Sequence, residues 1–244
     1  QCKENQPTAG INLDAVDNLA LKGNEPNAIT VKDPNRFKIR KNDDDEVALS
    51  SNPQLDFVRK IANSVTEGSE EIQKALTKSI SEINYPKTKL AANLEWIARL
   101  IKGNLNSKVY YTSQNGYDTH DNQLAIHQRN LTELNDAVFS FYSDLKKANL
   151  LQNVTIVVFS EFGRRVKDNG NGTDHGTAAP LFIIGGMNNG KVLGENPNLS
   201  DLDNGDLKYN IDFRSVYATL LQNKMQFNPN QIGITNQPLK GLFT

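Results

Sequence analysis

The residues best suited to bind a metal ion lie in two short segments rich in glycine and turn-forming residues. Asp118 and His120 are separated by one residue in the segment NGYDTHD, and Asp174 directly precedes His175 in GTDHGT. Carboxylate oxygens and imidazole nitrogens are ligands that zinc and manganese accept in proteins. Either pair taken alone is equally compatible with an exposed turn, because Asp forms turns readily and short spacings are weak evidence.

A third polar segment, SEFGRR, lies between these two and follows a run of β-branched residues. Glu161 adds a carboxylate, and Arg164 and Arg165 carry guanidinium groups that can hold an anionic substrate group bidentately. The three segments together predict a site for a divalent cation, zinc or alternatively manganese or calcium. The predicted metal ligands are Asp118, His120, Glu161, Asp174 and His175.

Alternating strands and helices are predicted to hold these segments in place. The unit formed by a strand at 108–112, a helix at 122–149 and a strand at 153–159 favours an α/β domain with a partly parallel sheet. The run NVTIVVF at 153–159 is typical of a central strand covered on both faces. A further strand is predicted at 181–184 and a last helix at 212–223.

The connection 160–180 has no helical period and is crowded with glycine and asparagine. Because a parallel crossover normally requires a helix, the strands that flank this connection are predicted to be antiparallel. That pairing would bring Glu161 back to the sheet edge that also carries Asp174 and His175. We therefore expect Glu161 to lie within metal-ligand reach of Asp174 or His175.

The remaining histidine has a different setting. His127 lies among Leu124, Leu131 and Leu134 on the apolar stripe of the predicted helix 122–149. This position predicts a packed, hydrogen-bonded and mostly buried side chain that is not a metal ligand.

We predict one domain over residues 1–244, made of three successive parts. Residues 1–50 are expected to be loop-rich, with short extended pieces at 18–22, 28–32 and 36–40 and a solvated charged run at 41–46. Residues 51–107 are predicted to form three helices, one starting at Pro53, one spanning Ile72 to Ile83 and one running from Pro86 to Gly103. Residues 108–244 are predicted to form the sheet core.

Composition excludes several classes of function. The 244 residues include 27 Lys and Arg against 28 Asp and Glu, so the net charge is −1 and gives no bulk attraction to nucleic acid. No apolar run reaches the roughly 18 residues that a membrane span requires. Cys2 is the only cysteine, which excludes an internal disulfide and a cysteine-based zinc site.

Three stretches of the sequence resemble a known family: GYDTHDNQ, VVFSEFGRRVKDNGNGTDHGTAAPLFIIGG and IDFRSVYATLL. They are similar to the bacterial domain-of-unknown-function family numbered 1501, from about residue 108 onward. The resemblance implies membership of the alkaline phosphatase and sulfatase superfamily, with a three-layer α/β/α sandwich around a mixed, mostly parallel sheet. It also implies export, often by a twin-arginine signal, to the periplasm or the cell exterior.

Carried over by position, Asp118 and His120 match the superfamily's first metal-binding pair, and His175 matches its last histidine. The segment that begins at Ser160 matches the superfamily's Ser-Asp-His-Gly motif, with Glu161 in place of Asp and Phe162 in place of a histidine ligand. Phe162 cannot bind a metal, so Asp174 is the nearest substitute ligand for a second cation.

A second departure concerns the nucleophile. The superfamily's N-terminal strand ends in a metal-binding Asp followed by a Ser, Thr or modified Cys, and we expect no apolar strand ending in Asp before Lys108. The chain begins with Gln1, and the resemblance implies the C-terminal portion of a longer, processed protein.

Two functions follow as expectations. The first is a metal-dependent hydrolase in the intact parent, acting on a small or polymeric anionic phosphate or sulfate ester. The second is a non-catalytic module that binds an anion or a cell-envelope partner on a hydrolase fold. Phe162 and the absent nucleophile favour the second for this chain alone, whereas the clustered Asp and His residues favour the first for the parent.

Overall fold

The structure is a computed structural model that describes residues 6–23, 27–34, 37 and 53–243, with the side chains of 53–64 excepted. It is a mixed α/β protein that divides into two compact units. The N-terminal unit consists of the described residues up to 114 together with 133–148, and the C-terminal unit of 115–132 together with 149–243. No helix in the described ranges is long and apolar enough to cross a membrane.

A small parallel sheet organises the N-terminal unit. Strand β1 (Gly10–Asn12) lies in the middle, with β2 (Ala28–Thr30) on one side and β3 (Val109–Tyr111) on the other. The strands predicted at 28–32 and 108–112 are confirmed. Strand β1 was not predicted, because Gly-Ile-Asn is only three residues long and contains a single apolar residue. The extended piece predicted at 18–22 is wrong, since Asn18 caps a short 3₁₀ helix there.

The carboxyl end of β1 corrects a second expectation. Asp14 follows this buried strand by two residues, so a strand leading to an aspartate does precede Lys108. Asp14 accepts hydrogen bonds from the Ser113 hydroxyl and, at 3.0 Å, from the Lys89 ammonium. Burial raises the pKa of Asp14, but these hydrogen bonds outweigh it and hold the pKa below its ordinary value.

Two helices that lie between β2 and β3 in the chain also belong to the N-terminal unit. Helix α1 (Pro53–Lys78) is continuous where two helices were predicted, and Ile80 and Ile83 follow it in a loop. Helix α2 (Lys89–Lys102) starts three residues later than predicted, because the Thr88 hydroxyl caps it by accepting from the Ala91 N–H. The charged run 41–46 and the extended piece 36–40 except Phe37 lie outside the described residues.

The predicted end of α2 at Gly103 is confirmed. Gly103 has a φ of −75°, and a Cβ atom there would lie 2.2 Å from the backbone oxygen of Ala75 in α1. Close approach of the two helices therefore requires glycine at this position. Among the described residues, nearly all buried apolar side chains belong to the N-terminal unit, including Ile11, Leu13, Ile72, Leu94, Leu100, Phe141 and Leu145.

Helix α3 (Gln123–Lys147) confirms the predicted helix at 122–149, and its residues contribute to both units. The apolar stripe predicted for it is wrong over the first turns, since Leu124 is 86% exposed and Leu131 53% exposed. Burial begins further along the helix, at Asn130 and Ala137. The spacing of the leucines identified the helix correctly but did not show which part of it is covered.

The C-terminal unit is built from antiparallel hairpins and one helix. Strand β4 (Thr155–Val158) pairs with β7 (Phe182–Gly185), and this confirms the predicted antiparallel arrangement. Between them lie β5 (Gly163–Asp168) and β6 (Thr173–Gly176), a hairpin that the sequence did not predict. Strands β8 (Leu202–Asp203) and β9 (Asp206–Leu207) form a second small hairpin, and helix α4 (Phe213–Met225) follows with Asp212 as its N-cap.

Strand β4 does not have the setting that its sequence predicted. Within the described residues it pairs with β7 alone, and all four of its residues are half-buried. The parallel pairs lie instead in the sheet β2-β1-β3. A continuous apolar run predicts a strand with two apolar faces, but it does not show which strands or helices pack against those faces.

We expect Asp144→Ala to destabilise the protein by about 3 kcal/mol, because it breaks a buried ion pair. The Asp144 side chain in α3 is 3% exposed and accepts from Lys102 at 2.7 Å, and from Ser81 and Tyr85 at 3.2 Å. Urea unfolding measures the decrease in the free energy of unfolding. Glu82→Gln is the matched control, since Glu82 pairs with Lys147 on the exposed surface and its loss should leave the unfolding midpoint unchanged.

Candidate metal centre

Three of the five predicted ligands converge in the C-terminal unit. His175 Nε2 lies 2.7 Å from Asp118 Oδ1, and His120 Nδ1 lies 3.5 Å from the same oxygen. One potential ligand atom from each residue lies within 4.8 Å of the other two, the only such group of acidic, histidine or cysteine residues in the described chain. All three side chains are exposed, with 69% of Asp118, 52% of His120 and 41% of His175 accessible.

The donor set fits a divalent cation. Two imidazole nitrogens and one carboxylate oxygen form a protein ligand set typical of catalytic metal sites, which keep a further position for water or substrate. A tetrahedral zinc ion with bonds of about 2.0–2.1 Å separates neighbouring ligand atoms by roughly 3.3 Å. The separation between Asp118 and His120 is close to that value, whereas His175 would move outward by somewhat more than half an ångström.

The close contact between Asp118 and His175 is a hydrogen bond with a known direction. A carboxylate only accepts, so the proton lies on His175 Nε2 and is donated to Asp118. A cation would take the place of this proton, because a histidine ligand must offer a free lone pair.

Phe162 supports His175 rather than replacing it. The Phe162 and His175 rings are stacked with centroids 3.8 Å apart and planes 7° from parallel. The His120 ring also lies near His175, with centroids 4.9 Å apart and planes tilted by 31°. The His175 ring therefore contacts two other rings, which restricts its orientation.

Thr119 explains why Asp118 and His120 lie on one side of their segment. The segment turns here, since the Thr119 N–H donates to the Tyr117 carbonyl two residues earlier at 2.9 Å. Thr119 is buried at 9% exposure, while its neighbours on either side are exposed. Its hydroxyl lies 3.0 Å from His127 Nε2 and accepts from Arg164 Nη2 at 3.3 Å.

Arg164 lies beside the centre, but its guanidinium contacts the protein backbone. Nη1 donates to the Thr173 carbonyl at 2.6 Å, and Nη2 donates to the Tyr117 carbonyl and to Thr119 Oγ1. Its Nε–H is buried without an acceptor among the described residues. The Arg164 guanidinium, which was predicted to bind an anion, therefore donates instead to the segment that carries the predicted ligands Asp118 and His120.

Arg165 points to the opposite side of β5, as strand alternation requires. It donates to the Asn204 carbonyl at 3.3 Å, at the turn between β8 and β9. The structure thus separates the two arginines that were predicted to act together on one substrate group.

Glu161 and Asp174 lie outside the three-residue group. Glu161 is exposed in the bend before β5, at the end of the hairpin that also carries His175. Asp174 neighbours His175 on β6 and so projects from the other face of the strand, where Asn169 lies 3.5 Å from it. Their roles as ligands stay predictions that the metal titration described below tests.

His127 is half-buried and hydrogen-bonded, and its partners were not predicted. Its Nε2 lies 3.0 Å from Thr119 Oγ1 and 3.3 Å from the Tyr117 carbonyl, and its ring meets the Tyr117 ring edge-on. One turn further along α3, Asn130 donates to the Gly116 carbonyl at 2.7 Å. The first turns of α3 therefore hold the segment 116–119 through polar contacts, not through an apolar stripe.

Asp206 is a supporting residue that the sequence analysis did not identify. Its carboxylate accepts from the Thr177 N–H and hydroxyl, both at 2.7 Å, and from the Leu207 N–H at 2.8 Å. A Cβ on Gly176 would lie 2.5 Å from Asp206 Oδ1 and 2.7 Å from the Arg164 backbone. Glycine at 176 therefore allows β9 to approach β6 next to His175.

Comparison with known families is consistent with the resemblance noted in the sequence and extends it toward the N-terminus. The family described as Protein of unknown function (DUF1501) matches residues 5–237. The chain therefore belongs to this family. No curated protein and no solved structure matches the chain.

We expect Asp206→Asn to destabilise the protein at neutral pH and to have a smaller effect in acid. Burial raises the pKa of Asp206, but the hydrogen bonds from Thr177 and Leu207 outweigh it and hold the pKa below the ordinary value of 3.8. The carboxylate therefore contributes stability that is present above pH 3.8 and is lost as the pH falls through the lower folded-state pKa. Urea unfolding of both proteins between pH 7 and pH 2.5 measures this, and a difference that grows in acid would contradict it.

Proposed function

We propose that this member of the DUF1501 family holds a divalent cation, zinc or manganese, between Asp118, His120 and His175. The observation that carries the proposal is the position of one carboxylate oxygen, Asp118 Oδ1, at 2.7 Å and 3.5 Å from nitrogens of two histidines. Their exposure supports a site that a substrate can reach from solvent. Calcium fits less well, because it prefers six to eight oxygen ligands.

We further propose that the cation serves hydrolysis of phosphate or sulfate esters in the intact protein. A cation bound there polarises an ester oxygen and stabilises developing negative charge. The likeness of the segments around Asp118, Ser160 and His175 to the alkaline phosphatase and sulfatase superfamily supports this reaction class. The same likeness supports a three-layer sandwich in a longer parent, export to the periplasm or cell exterior, and an anionic small-molecule or polymer ester as substrate.

One observation favours the second function, a module that binds an anion or an envelope partner without chemistry. Phe162 occupies the position of a histidine ligand in the superfamily motif, and it is stacked on His175 at 3.8 Å. In addition, Arg164 donates to backbone carbonyls and not toward the surface where a substrate would approach. A single cation without an arginine clamp lacks the second positive charge that, in a two-metal site, stabilises the leaving oxygen while the first stabilises the attacking oxygen.

Metal titration tests the site itself. We expect the metal-free chain to bind Zn²⁺ or Mn²⁺ in isothermal titration calorimetry, and His175→Ala or Asp118→Ala to weaken binding by more than about 100-fold. This bound follows because loss even of a supporting residue typically costs about 10–100-fold in metal affinity. Asp121→Ala is the matched control, since Asp121 is an exposed carboxylate of the same segment that lies outside the group.

The same titration tests whether the carboxylates of Glu161 and Asp174 are also metal ligands. Binding that is unchanged in Glu161→Ala and Asp174→Ala supports a three-residue site. A loss comparable to that of His175→Ala in either variant supports the larger ligand set predicted from the sequence. Absence of binding by the unaltered chain would refute the cation site.

Hydrolysis is tested with an aryl phosphate and an aryl sulfate in the presence of Zn²⁺ or Mn²⁺. We expect negligible turnover by these 244 residues and measurable turnover by a form extended at its N-terminus, because the superfamily reaction requires an activated nucleophile. Robust turnover by the short form that His175→Ala abolishes would contradict the need for a further nucleophile. An extended form that binds the esters without turnover would support the non-catalytic module.

A further inference from the structure

We infer that Arg164 and Thr119 are positioning residues that set the cation affinity of the centre. This inference rests on the proposed function, because it concerns the same three ligands. Two of them lie on the segment 118–120, and the third, His175, lies on β6. These pieces of chain are far apart in sequence, so something must hold them at ligand spacing.

Arg164 is placed to do this. It is the cross-strand partner of His175 in the β5–β6 hairpin, so its backbone is fixed relative to the third ligand. Its guanidinium reaches across to the Tyr117 carbonyl and Thr119 Oγ1, which flank Asp118. A rigid planar group with several donors can hold two acceptors at once, as the flexible point charge of lysine cannot. One side chain thereby joins the strand pair of His175 to the segment of Asp118 and His120.

Thr119 is the attachment point on the segment. It is buried, and its hydroxyl contacts both Arg164 and His127. Thr119 is buried while Asp118 and His120 on either side of it are exposed, so holding Thr119 inward keeps both ligands together at the surface. The Thr119 N–H also donates to the Tyr117 carbonyl at 2.9 Å, the same oxygen that accepts from Arg164. Loss of either contact should let the two ligands rotate away from His175 without removing any ligand atom.

Calorimetric titration with Zn²⁺ tests the inference in three variants and one control variant of the full 244-residue chain. We expect Arg164→Met and Thr119→Val to weaken binding by about 10–100-fold, the usual effect of removing a partner that orients metal ligands. Arg164→Lys should recover part of the loss. Arg165→Met is the matched control, because Arg165 is the next residue on β5 and points to the Asn204 turn instead; its affinity should match that of the unaltered chain.

A second readout separates positioning from general destabilisation. Co²⁺ substituted for Zn²⁺ should give the intense absorption of a tetrahedral site in the unaltered chain and in Arg165→Met, and a weaker, shifted band in Thr119→Val. Should Arg164→Met fail to fold, Thr119→Val still decides the matter, since it keeps the side-chain shape and loses only the hydroxyl. Zn²⁺ affinity unchanged in Thr119→Val, with binding abolished in His175→Ala, would overturn the inference.

Failure of the proposed cation site can be distinguished from failure of this inference. If the unaltered chain binds no cation, amide hydrogen exchange still reports whether the segment is held. Exchange at Thr119 and His120 that accelerates in Arg164→Met but not in Arg165→Met would support the positioning role without the metal. Equal exchange rates in both variants would refute that role.

Discussion

The geometry of the candidate centre depends on the hydrogen bonds that hold the inner side of the segment 116–119. From helix α3, Asn130 contacts the Gly116 carbonyl and His127 contacts the Tyr117 carbonyl. From strand β5, Arg164 contacts the Tyr117 carbonyl and the Thr119 hydroxyl. The segment has no regular secondary structure, so these contacts replace the hydrogen bonds that a strand or helix would supply. Their consequence is that Asp118 and His120 share one exposed side.

The hairpin β5–β6 supplies the other half of the centre. Pairing of Arg164 with His175 puts a donor to the segment and a candidate ligand at the same level of two adjacent strands. Phe162, just before β5, then covers one face of the His175 ring. Asp206 and Gly176 hold this hairpin from the side of β9. The β5–β6 hairpin thus places the candidate ligand His175, the Phe162 ring stacked on it and the Arg164 side chain that holds the segment 116–119.

The two units are stabilised in different ways. The N-terminal unit contains most of the described apolar core and an ion pair, Lys102 with Asp144, that is almost fully buried. In the C-terminal unit apolar residues such as Phe159 and Phe182 are about half exposed, and its hairpins are held largely by polar contacts. Exposed apolar groups of this kind are ordinary on protein surfaces and carry no function alone. The candidate centre accordingly depends on hydrogen-bond geometry more than on burial.

The sequence by itself determined the chemistry of the centre and the direction of its main strand pair. Asp118, His120 and His175 were identifiable as candidate ligands from residue type, and the helix-free connection 160–180 correctly predicted that β4 and β7 are antiparallel. The α/β class and the limits of α3 also followed from local periodicity. These features were predictable because each depends on neighbouring residues alone.

Only the tertiary structure decided which of the predicted residues meet. Asp174 neighbours His175 on β6 and so lies on the opposite face of the strand. Arg164 donates to backbone carbonyls, and Leu124 and Leu131 are exposed to solvent. The tertiary structure also gave Phe162 a partner that the sequence could not show. The physical reason is that side-chain direction alternates with every residue of a strand, so a hairpin register that differs by one position reverses which groups face each other. The centre also needs the segment 116–119 beside this hairpin, and the contacts that hold it there, such as Arg164 with Tyr117 and Thr119, join residues distant in the chain.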